Sequence, residues 1–255
     1  MPTTKISAVI ITFNEEQHIA RCLQSILQVA DEVIVMDSRS TDRTPEICKS
    51  FNVKFISTDW KGFSATKNEG NQMATHEYIL SLDADECLDG ELIREIKQLK
   101  EQQLQAVYSV NRLTNYCGKW IRFSGWNPDW KLRLFPKDLV KWNDAIVHEE
   151  LELPQHIEEV ALKGRLLHYS YSSTVQHRQR ADKYSLLTAK KYALQGRKTT
   201  LLSPYFAAIG RFISMYFLKL GFLDGKEGFQ IAWISAQSNA LKYKELKRLT
   251  TIKNE

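Results

Sequence analysis

Short apolar runs rich in β-branched residues alternate with helical segments over the first hundred residues, and this alternation restricts the possible folds more than any other feature. Residues 6–11, 32–37 and 53–57 predict buried strands, and residues 78–86 predict a fourth strand that ends in acidic residues. An amphipathic helix is predicted over residues 89–103. Strands that alternate with helices indicate an α/β fold with a mostly parallel sheet, which binds ligands beyond the carboxyl ends of its strands.

The pattern changes beyond residue 104. Short strands and aromatic loops follow, which predicts that the sheet becomes mixed, and from Ser173 onward the chain has helical periodicity. We therefore predict an α/β domain over residues 1–172 and, as an appendage, a helical, basic and amphipathic region over residues 173–255.

The charged residues are unevenly distributed. Residues 1–108 hold 11 Lys and Arg against 17 Asp and Glu, whereas residues 161–255 hold 17 against 5. The acidic first part is compatible with cation binding, and the basic tail indicates an anionic partner: a membrane surface, a phosphorylated acceptor or nucleic acid. The four cysteines form no C-x-x-C pair and the first apolar run is too short for a signal peptide, so we expect a reducing, cytoplasmic location.

Two acidic residues lie where the fourth predicted strand ends. Asp83 and Asp85 are two residues apart, so an extended chain directs both carboxylates to one face. Carboxylates that close repel unless a cation lies between them, and Mg²⁺ or Mn²⁺ binds such oxygens while keeping open positions for substrate phosphates. The alternative is a helix N-terminus with Asp85 or Asp89 as its cap.

The first two strands are followed by polar residues. Asp37 ends the second strand, where its carboxylate is expected to accept from a nucleobase or a ribose hydroxyl, whereas Asp42 is predicted as a cap or turn residue. The segment TFNEE after the first strand has neither the G-x-G-x-x-G of a dinucleotide site nor the G-x-x-x-x-G-K of a P-loop. Both of these nucleotide sites are therefore excluded at this junction.

Four junction segments together resemble those of glycosyltransferase family 2, whose members have the GT-A fold. TFNEE follows the first strand, VMDSRSTDRT the second, KGFSATKNEGN the third and LDADE the fourth, in the order of the family and at similar separations. The likeness extends over residues 6–170. Within the family the chain is similar to bacterial transferases that add glucose to the heptose of the lipopolysaccharide inner core.

The resemblance implies a GT-A type mixed sheet flanked by helices, a UDP-sugar donor, and Mn²⁺ or Mg²⁺ as cofactor. It implies that Asp83 and Asp85 bind the donor ribose and the metal. The nucleotide-sugar-binding residues that it implies are Thr12, Asn14, Glu16, Asp37, Lys67 and Asp83. Many relatives have arginine at the position of Lys67; lysine keeps the charge that neutralises a diphosphate but loses the bidentate geometry.

The segment NDAIVHEELEL, residues 143–153, is the candidate for the catalytic base. An inverting transfer needs one carboxylate that takes the proton of the acceptor hydroxyl, and we predict Glu149, with Asp144 and Glu150 as alternatives. The competing interpretation is a solvated strand edge. By the same resemblance, His168 is predicted to complete the metal or diphosphate site; the alternative is a hydrogen-bonded core residue.

Tryptophans and basic residues are concentrated between residues 120 and 142. We predict that Trp126, Trp130 and Arg133 bind the acceptor, because aromatic rings pack against sugars and basic residues suit a phosphorylated acceptor. The alternative is an aromatic core under a long loop, which we favour for Phe135 and Trp142.

Apolar residues recur at helical spacing between Tyr205 and Leu220, while Arg211 and Lys219 lie off that face. With two cations and Pro204 the segment is a poor membrane span, but it suits the interface of an anionic leaflet. The competing interpretation is that this face packs on the first domain or on a second subunit, as in a homo-oligomer.

We therefore expect an inverting, metal-dependent glycosyltransferase at the inner face of the cytoplasmic membrane. It would move a hexose, glucose from UDP-glucose, to a lipopolysaccharide core or a similar membrane-linked saccharide, and no nucleic-acid partner is expected. One alternative is a sugar-nucleotide pyrophosphorylase, which would need a glycine-rich, arginine-containing turn after the first strand. The other is a non-catalytic protein that binds carbohydrate or nucleic acid.

Overall fold

The structure is a computed structural model that describes residues 3–143 and 150–252. The elements in chain order are β1 (Ile6–Thr12), α1 (Ile19–Ile26), β2 (Glu32–Asp37), α2 (Thr44–Ser50), β3 (Lys54–Ser57), α3 (Phe63–Gln72), β4 (Tyr78–Asp83), β5 (Glu86–Leu88), α4 (Gly90–Gln102), β6 (Val107–Tyr116), β7 (Lys119–Trp120), β8 (Trp130–Pro136), β9 (Lys141–Trp142), β10 (Leu151–Glu152), β11 (Glu159–Tyr171), α5 (Thr174–Leu194), α6 (Ser203–Ile213) and α7 (Gly225–Ile252). A π-helical turn, Ser214–Leu218, extends α6, and a 3₁₀ turn, Gly221–Asp224, precedes α7.

The chain divides into two compact units. The first contains the residues up to Arg112 together with Asp129–Tyr169, and the second contains Leu113–Pro128 together with the residues from Ser170 onward. The later crossover lies close to the predicted boundary at residue 172. Residues 113–128, by contrast, group with the C-terminal helices and not with the α/β domain to which the prediction assigned them.

The first unit is built on a mixed sheet with the strand order β3-β2-β1-β4-β8-β6-β11-β5. The strands β1 to β4 are parallel to one another, whereas β8 pairs antiparallel with β4 and β6, and β11 pairs antiparallel with β5. The last residues of β6 belong to the second unit, where they pair with β7. The sheet is thus parallel over β1 to β4 and mixed beyond β4.

Helices cover both faces of the parallel strands. In β1, Ile10 belongs to an apolar cluster with residues of α1, α2 and α4, whereas Val9 belongs to a second cluster on the opposite face. The helix α3 packs closely on that second face at Gly70, where an added Cβ would lie 2.5 Å from the Val9 Cγ1. Burial on two faces explains the continuous apolar runs of the sequence. The predicted α/β fold with a mixed sheet and flanking helices is confirmed.

The second unit contains α5, α6 and α7, with α7 packed against both of the others. Asp224, at the end of the 3₁₀ turn, is a buried carboxylate that accepts from the amides of Arg122 and Phe123 and from the Ser124 hydroxyl. The Lys119 ammonium donates to the carbonyl oxygen of the same residue at 2.7 Å. A buried charge is tolerated only when it is well hydrogen-bonded, so these bonds attach residues 113–128 to the helices.

Candidate functional site

The carboxyl ends of the parallel strands bring three predicted site residues to one edge of the sheet. In the strand registers Thr12 lies beside Asp37, and Ile11 lies beside Asp83. Thr12 and Asp37 are buried, and the Thr12 hydroxyl has no hydrogen-bond partner among the described residues. This edge is where a parallel sheet binds its ligands, and it offers a polar atom that the described residues leave without a partner.

Asp37 holds the loop that follows β2. Its Oδ2 accepts from the Ser40 amide at 3.0 Å and from the Ser57 hydroxyl at 3.3 Å, and its Oδ1 accepts from the Ser40 hydroxyl. An ionised carboxylate has about four acceptor positions. Asp37 therefore keeps capacity for one further donor, as the predicted contact with a base or a ribose requires.

The loops after β1 and β2 are tied together by side chains. Asn14 Oδ1 accepts from the Thr41 amide at 2.8 Å, and Glu16 Oε2 accepts from the Arg43 amide at 3.0 Å. Asp42 accepts from the Glu16 amide and from the amide two residues further on, which confirms its predicted role as a turn residue. The structure thus shows Asn14 and Glu16 shaping the edge, and their contact with a nucleotide stays a prediction.

Asp83 ends β4 between two cations. The Lys67 Nζ lies 3.1 Å from its Oδ1 and the Arg133 Nη2 lies 3.3 Å from its Oδ2. Burial acts to raise the pKa of Asp83, but Lys67 and Arg133 outweigh it and hold that pKa well below its usual range. Asp83 is therefore ionised at neutral pH, and its charge is compensated within the protein.

The ion pairs continue through Glu86, which is not among the predicted site residues. Its buried carboxylate lies 2.6 Å from the Arg133 Nη2 and 3.3 Å from the Arg112 Nη1, and it also accepts from the Asp83 amide. Arg112 in turn lies 2.8 Å from Asp129. Positive and negative side chains therefore alternate behind this edge of the sheet, and their ion pairs fix the position of Asp83.

Asp85 lies in the turn between β4 and β5 and has a different partner. Its Oδ2 is 3.2 Å from the His168 Nε2, and its carbonyl oxygen accepts from the Tyr169 amide at 2.9 Å. The prediction that Asp83 and Asp85 share one face assumes an extended chain through both residues. Because β4 ends at Asp83 and the chain turns there, the two carboxylates meet different groups.

The Asp85 and His168 pair is the candidate metal site. In the part of the chain that the structure describes, no group of three or more His, Cys, Asp or Glu side chains could hold a metal. Mg²⁺ usually binds through one or two carboxylates and completes its shell with waters and substrate phosphates. The pair therefore fits an ion that is shared with a diphosphate, and the described residues do not complete a metal site by themselves.

His18, beside this pair, is also missing from the predicted site. Its ring stacks on Tyr169 with 5.8 Å between centroids, and the Arg21 guanidinium lies 4.0 Å from the centroid of the same ring. Burial lowers the pKa of His18 even though the Asp85 carboxylate raises it, so the imidazole is neutral at neutral pH. His18 directly precedes α1, and nothing in the sequence pattern there distinguishes this histidine.

Glu149, the predicted catalytic base, and the alternative Asp144 lie outside the described residues. Glu150 is exposed and directly precedes β10, so the structure places it next to the strand. The carbonyl oxygen of Glu150 accepts from the Asn143 amide at 2.9 Å, which joins the two described residues on either side of the segment.

Trp142, which precedes the candidate catalytic segment 143–153, is hydrogen-bonded to α3. The Trp142 amide donates to Asn68 Oδ1 at 3.0 Å, and the Asn68 Nδ2 donates to the Trp142 carbonyl oxygen at 2.9 Å. The Trp142 ring lies 4.5 Å from the Lys67 ammonium and packs edge-on against Phe135. Both aromatic residues are buried, which confirms their predicted place in the core.

The predicted acceptor residues occupy different environments. Trp130, at the start of β8, is 49% exposed, whereas Arg133 on the same strand is buried in its ion pairs with Asp83 and Glu86. Trp126 belongs to the second unit, where its ring packs against Tyr171. The structure thus places Arg133 behind the strand edge and not on an acceptor surface, because the buried Glu86 requires a cation beside it.

Residues 7–150 match glycosyl transferase family 2, and the mixed sheet with flanking helices is the fold of GT-A glycosyltransferases. The chain belongs to this family.

It is 31% identical to an uncharacterised glycosyltransferase of Rickettsia typhi over 96% of this chain and 88% of that protein. It is 25% identical to the lipopolysaccharide core biosynthesis glycosyltransferase LpsC of Rhizobium meliloti over 95% of this chain and 96% of that protein. The crystal structure of S. aureus TarS in complex with UDP-GlcNAc covers 98% of this chain, and the match covers 92% of TarS, with 14% identity and a TM-score of 0.47.

Proposed function

We propose that this chain is an inverting, metal-dependent glycosyltransferase that takes a hexose, glucose from UDP-glucose, and transfers it to a membrane-linked saccharide of the lipopolysaccharide-core type. The proposal rests on the side chains at the carboxyl ends of the parallel strands. There, Thr12 and Asp37 have acceptor capacity left, Asp83 has a compensated charge, and Asp85 with His168 fits a shared divalent ion.

The donor nucleoside is assigned to Thr12, Asp37 and Asp83. A uracil N–H or a ribose hydroxyl suits the remaining acceptor position of Asp37. Asp83 can accept from a ribose hydroxyl without repelling the nearby diphosphate, because Lys67 and Arg133 already balance its charge. The lysine at position 67 therefore acts on the donor through Asp83, in addition to the direct contact that the resemblance implies.

Asp85 and His168 are assigned to the divalent ion. When bound, such an ion would offset the negative charge that develops on the departing UDP. Glu149 is assigned as the base that takes the proton from the acceptor hydroxyl, which gives a single displacement and inversion at the anomeric carbon. Asn68 and Trp142 support this assignment, since they hold the start of the catalytic segment beside Lys67.

The name of LpsC supports an acceptor of the lipopolysaccharide-core type, since the two chains match over almost their whole lengths. Membership of a glycosyltransferase family argues against the pyrophosphorylase and against a non-catalytic binding protein. The same membership favours transfer of a sugar from an activated donor as the reaction.

The proposal is tested with two variants that separate donor binding from transfer. Thermal stabilisation by UDP is measured with and without Mn²⁺, and transfer is measured with UDP-glucose and a heptose-containing acceptor. Asp85→Ala is expected to lose the Mn²⁺-dependent part of the stabilisation, whereas the exposed control Asp138→Ala keeps it. Glu149→Gln is expected to keep UDP binding and to lower the rate of transfer by about 10²–10⁴-fold, the usual contribution of a general base.

Each variant has an outcome that contradicts its assignment. If Asp85→Ala binds UDP with Mn²⁺ as tightly as the parent, Asp85 is not a metal ligand. If Glu149→Gln transfers glucose at the parental rate, the base is Asp144 or Glu150. A parent protein that neither binds UDP nor hydrolyses UDP-glucose would contradict the proposed function as a whole.

A further inference from the structure

Large apolar side chains cover the outside of α6 and of the π-helical turn that follows it. We call these residues the α6 surface: Leu202, Tyr205, Phe206, Ile209, Ile213 and Phe217. Each is between 45% and 69% exposed. The spacing of three and four residues places them along one side of the helix. Soluble proteins rarely expose a contiguous apolar patch of this kind without a partner.

The core of the second unit does not need these residues. Phe212 and Tyr216, which the sequence pattern places on the same apolar face, pack inward with the fully buried Met215 and with Ile231 of α7. The apolar face predicted between Tyr205 and Leu220 is therefore divided. One part fills the interior of the second unit, and the α6 surface remains outside.

The charges around the α6 surface favour an anionic partner. Residues 201–223 contain no Asp or Glu, and their two cations, Arg211 and Lys219, are exposed. Arg197 and Lys198 before this stretch and Lys226 after it are exposed as well. A second copy of the chain would bring the same cations against each other in a two-fold contact, whereas an anionic lipid surface complements them.

The geometry of the helices favours a surface position over a span. No single helix among the described residues is long and apolar enough to cross a membrane, and only Ser203–Leu218 and Gly221–Thr251 together, bent by 72°, reach that length and composition. Within α7, Ile231, Ala232 and Ile234 are buried inside the second unit and so do not face lipid. Near the start of α7, Phe229 and Trp233 are 45% and 48% exposed, so the exposed apolar residues of the pair lie on α6 and at the beginning of α7.

We propose that the α6 surface inserts into the interface of an anionic membrane leaflet, with Arg211 and Lys219 extended to the lipid headgroups. This inference rests on the proposed function, because a membrane-linked acceptor would be presented at such a surface. Binding to lipid is measurable without donor or acceptor, so the two proposals can fail separately.

The test is sedimentation of the full chain with vesicles of phosphatidylcholine, with and without phosphatidylglycerol, at low and high salt. The parent is expected to bind the anionic vesicles, to bind the neutral ones poorly, and to lose binding steeply as salt screens the charges. Replacing Phe206 and Phe217 together by serine is expected to weaken binding about tenfold or more, as is Arg211→Gln with Lys219→Gln. The matched control is Leu27→Ser with Leu139→Ser, which removes two exposed apolar residues of the first unit and is expected to bind as the parent does.

Other results would overturn the inference. Equal binding of the parent to neutral and anionic vesicles would do so, and so would unchanged binding of both double variants. A parent that is dimeric in solution and becomes monomeric on the two serine substitutions would show that the α6 surface is a subunit interface. If the serine variant does not fold, the Arg211→Gln and Lys219→Gln variant decides. If UDP does not stabilise the parent against heat, the proposed function is contradicted, and the result with vesicles is unaffected.

Discussion

The two units of this protein depart from the usual distribution of residues in opposite directions. The first unit buries charge, since Lys67, Glu86 and Arg133 are each at most 4% exposed. The second unit exposes apolar rings and aliphatic chains on the α6 surface. Both departures are unfavourable for a folded chain in water unless they are compensated.

The difference lies in where the compensation comes from. Each of these three buried charges has a partner of opposite sign within ion-pair distance, so the cost of its burial is offset inside the protein. On the α6 surface, nothing in the described part of the chain covers the side chains. The comparison therefore predicts that removing a charge from the first unit destabilises the fold, whereas removing an apolar group from the α6 surface does not.

The largest effect is expected for Glu86→Ala. The substitution leaves Arg112 and Arg133 without the carboxylate between them, and breaking a buried ion pair in this way typically costs about 3–5 kcal/mol of unfolding free energy. Urea denaturation measures this loss. The control is Glu46→Ala, since Glu46 forms an exposed pair with Arg43 and its removal is expected to cost less than about 1 kcal/mol. Similar losses for the two variants would show that the buried charges do not support the fold.

A smaller effect is expected from the titration of Asp83. Burial raises its pKa, but Lys67 and Arg133 lower it further, so the folded pKa lies below the unfolded value of about 3.9. The stabilising contribution is therefore complete above that unfolded value and is lost as the pH falls through the folded pKa. We expect the stability difference between the parent and Asp83→Asn, measured by urea denaturation, to shrink below about pH 4. A constant difference down to about pH 2 would mean that Asp83 does not titrate as its ion pairs require.

The sequence predicts the parts of the fold that depend on local pattern. The parallel strands were predictable because burial on two faces produces continuous apolar runs, and the acidic edge was predictable because Asp37 and Asp83 end those runs. Asp85 and His168, the two predicted metal ligands, lie 3.2 Å apart, and their binding of a metal stays a prediction. All of these features follow from strand ends and from the order of the motifs along the chain.

The features that depend on contacts between distant segments were not predictable. The partners of Glu86 are contributed from 26 and 47 residues away, so nothing next to LDADE indicates that this glutamate, and not only its neighbours, organises the site. The separation of Asp83 from Asp85 depends on where β4 ends. In the tail, helical periodicity identifies the apolar positions but does not tell which of them face the core of the second unit.

The smallest effect is expected on the α6 surface, where two phenylalanines provide a matched pair. Phe206 is 69% exposed, and Phe206→Ser is expected to change the unfolding free energy by no more than about 0.5 kcal/mol in the absence of lipid. Phe212 contacts the rings of Tyr216 and Phe229, so Phe212→Ser is expected to cost about 1–3 kcal/mol, less than a fully buried phenylalanine. Urea denaturation of both variants without lipid compares them directly. If Phe206→Ser costs as much as Phe212→Ser, the protein itself covers the α6 surface, and the contrast between the two units is lost. If only Phe212→Ser is destabilising, the partner of the α6 surface lies outside the folded chain.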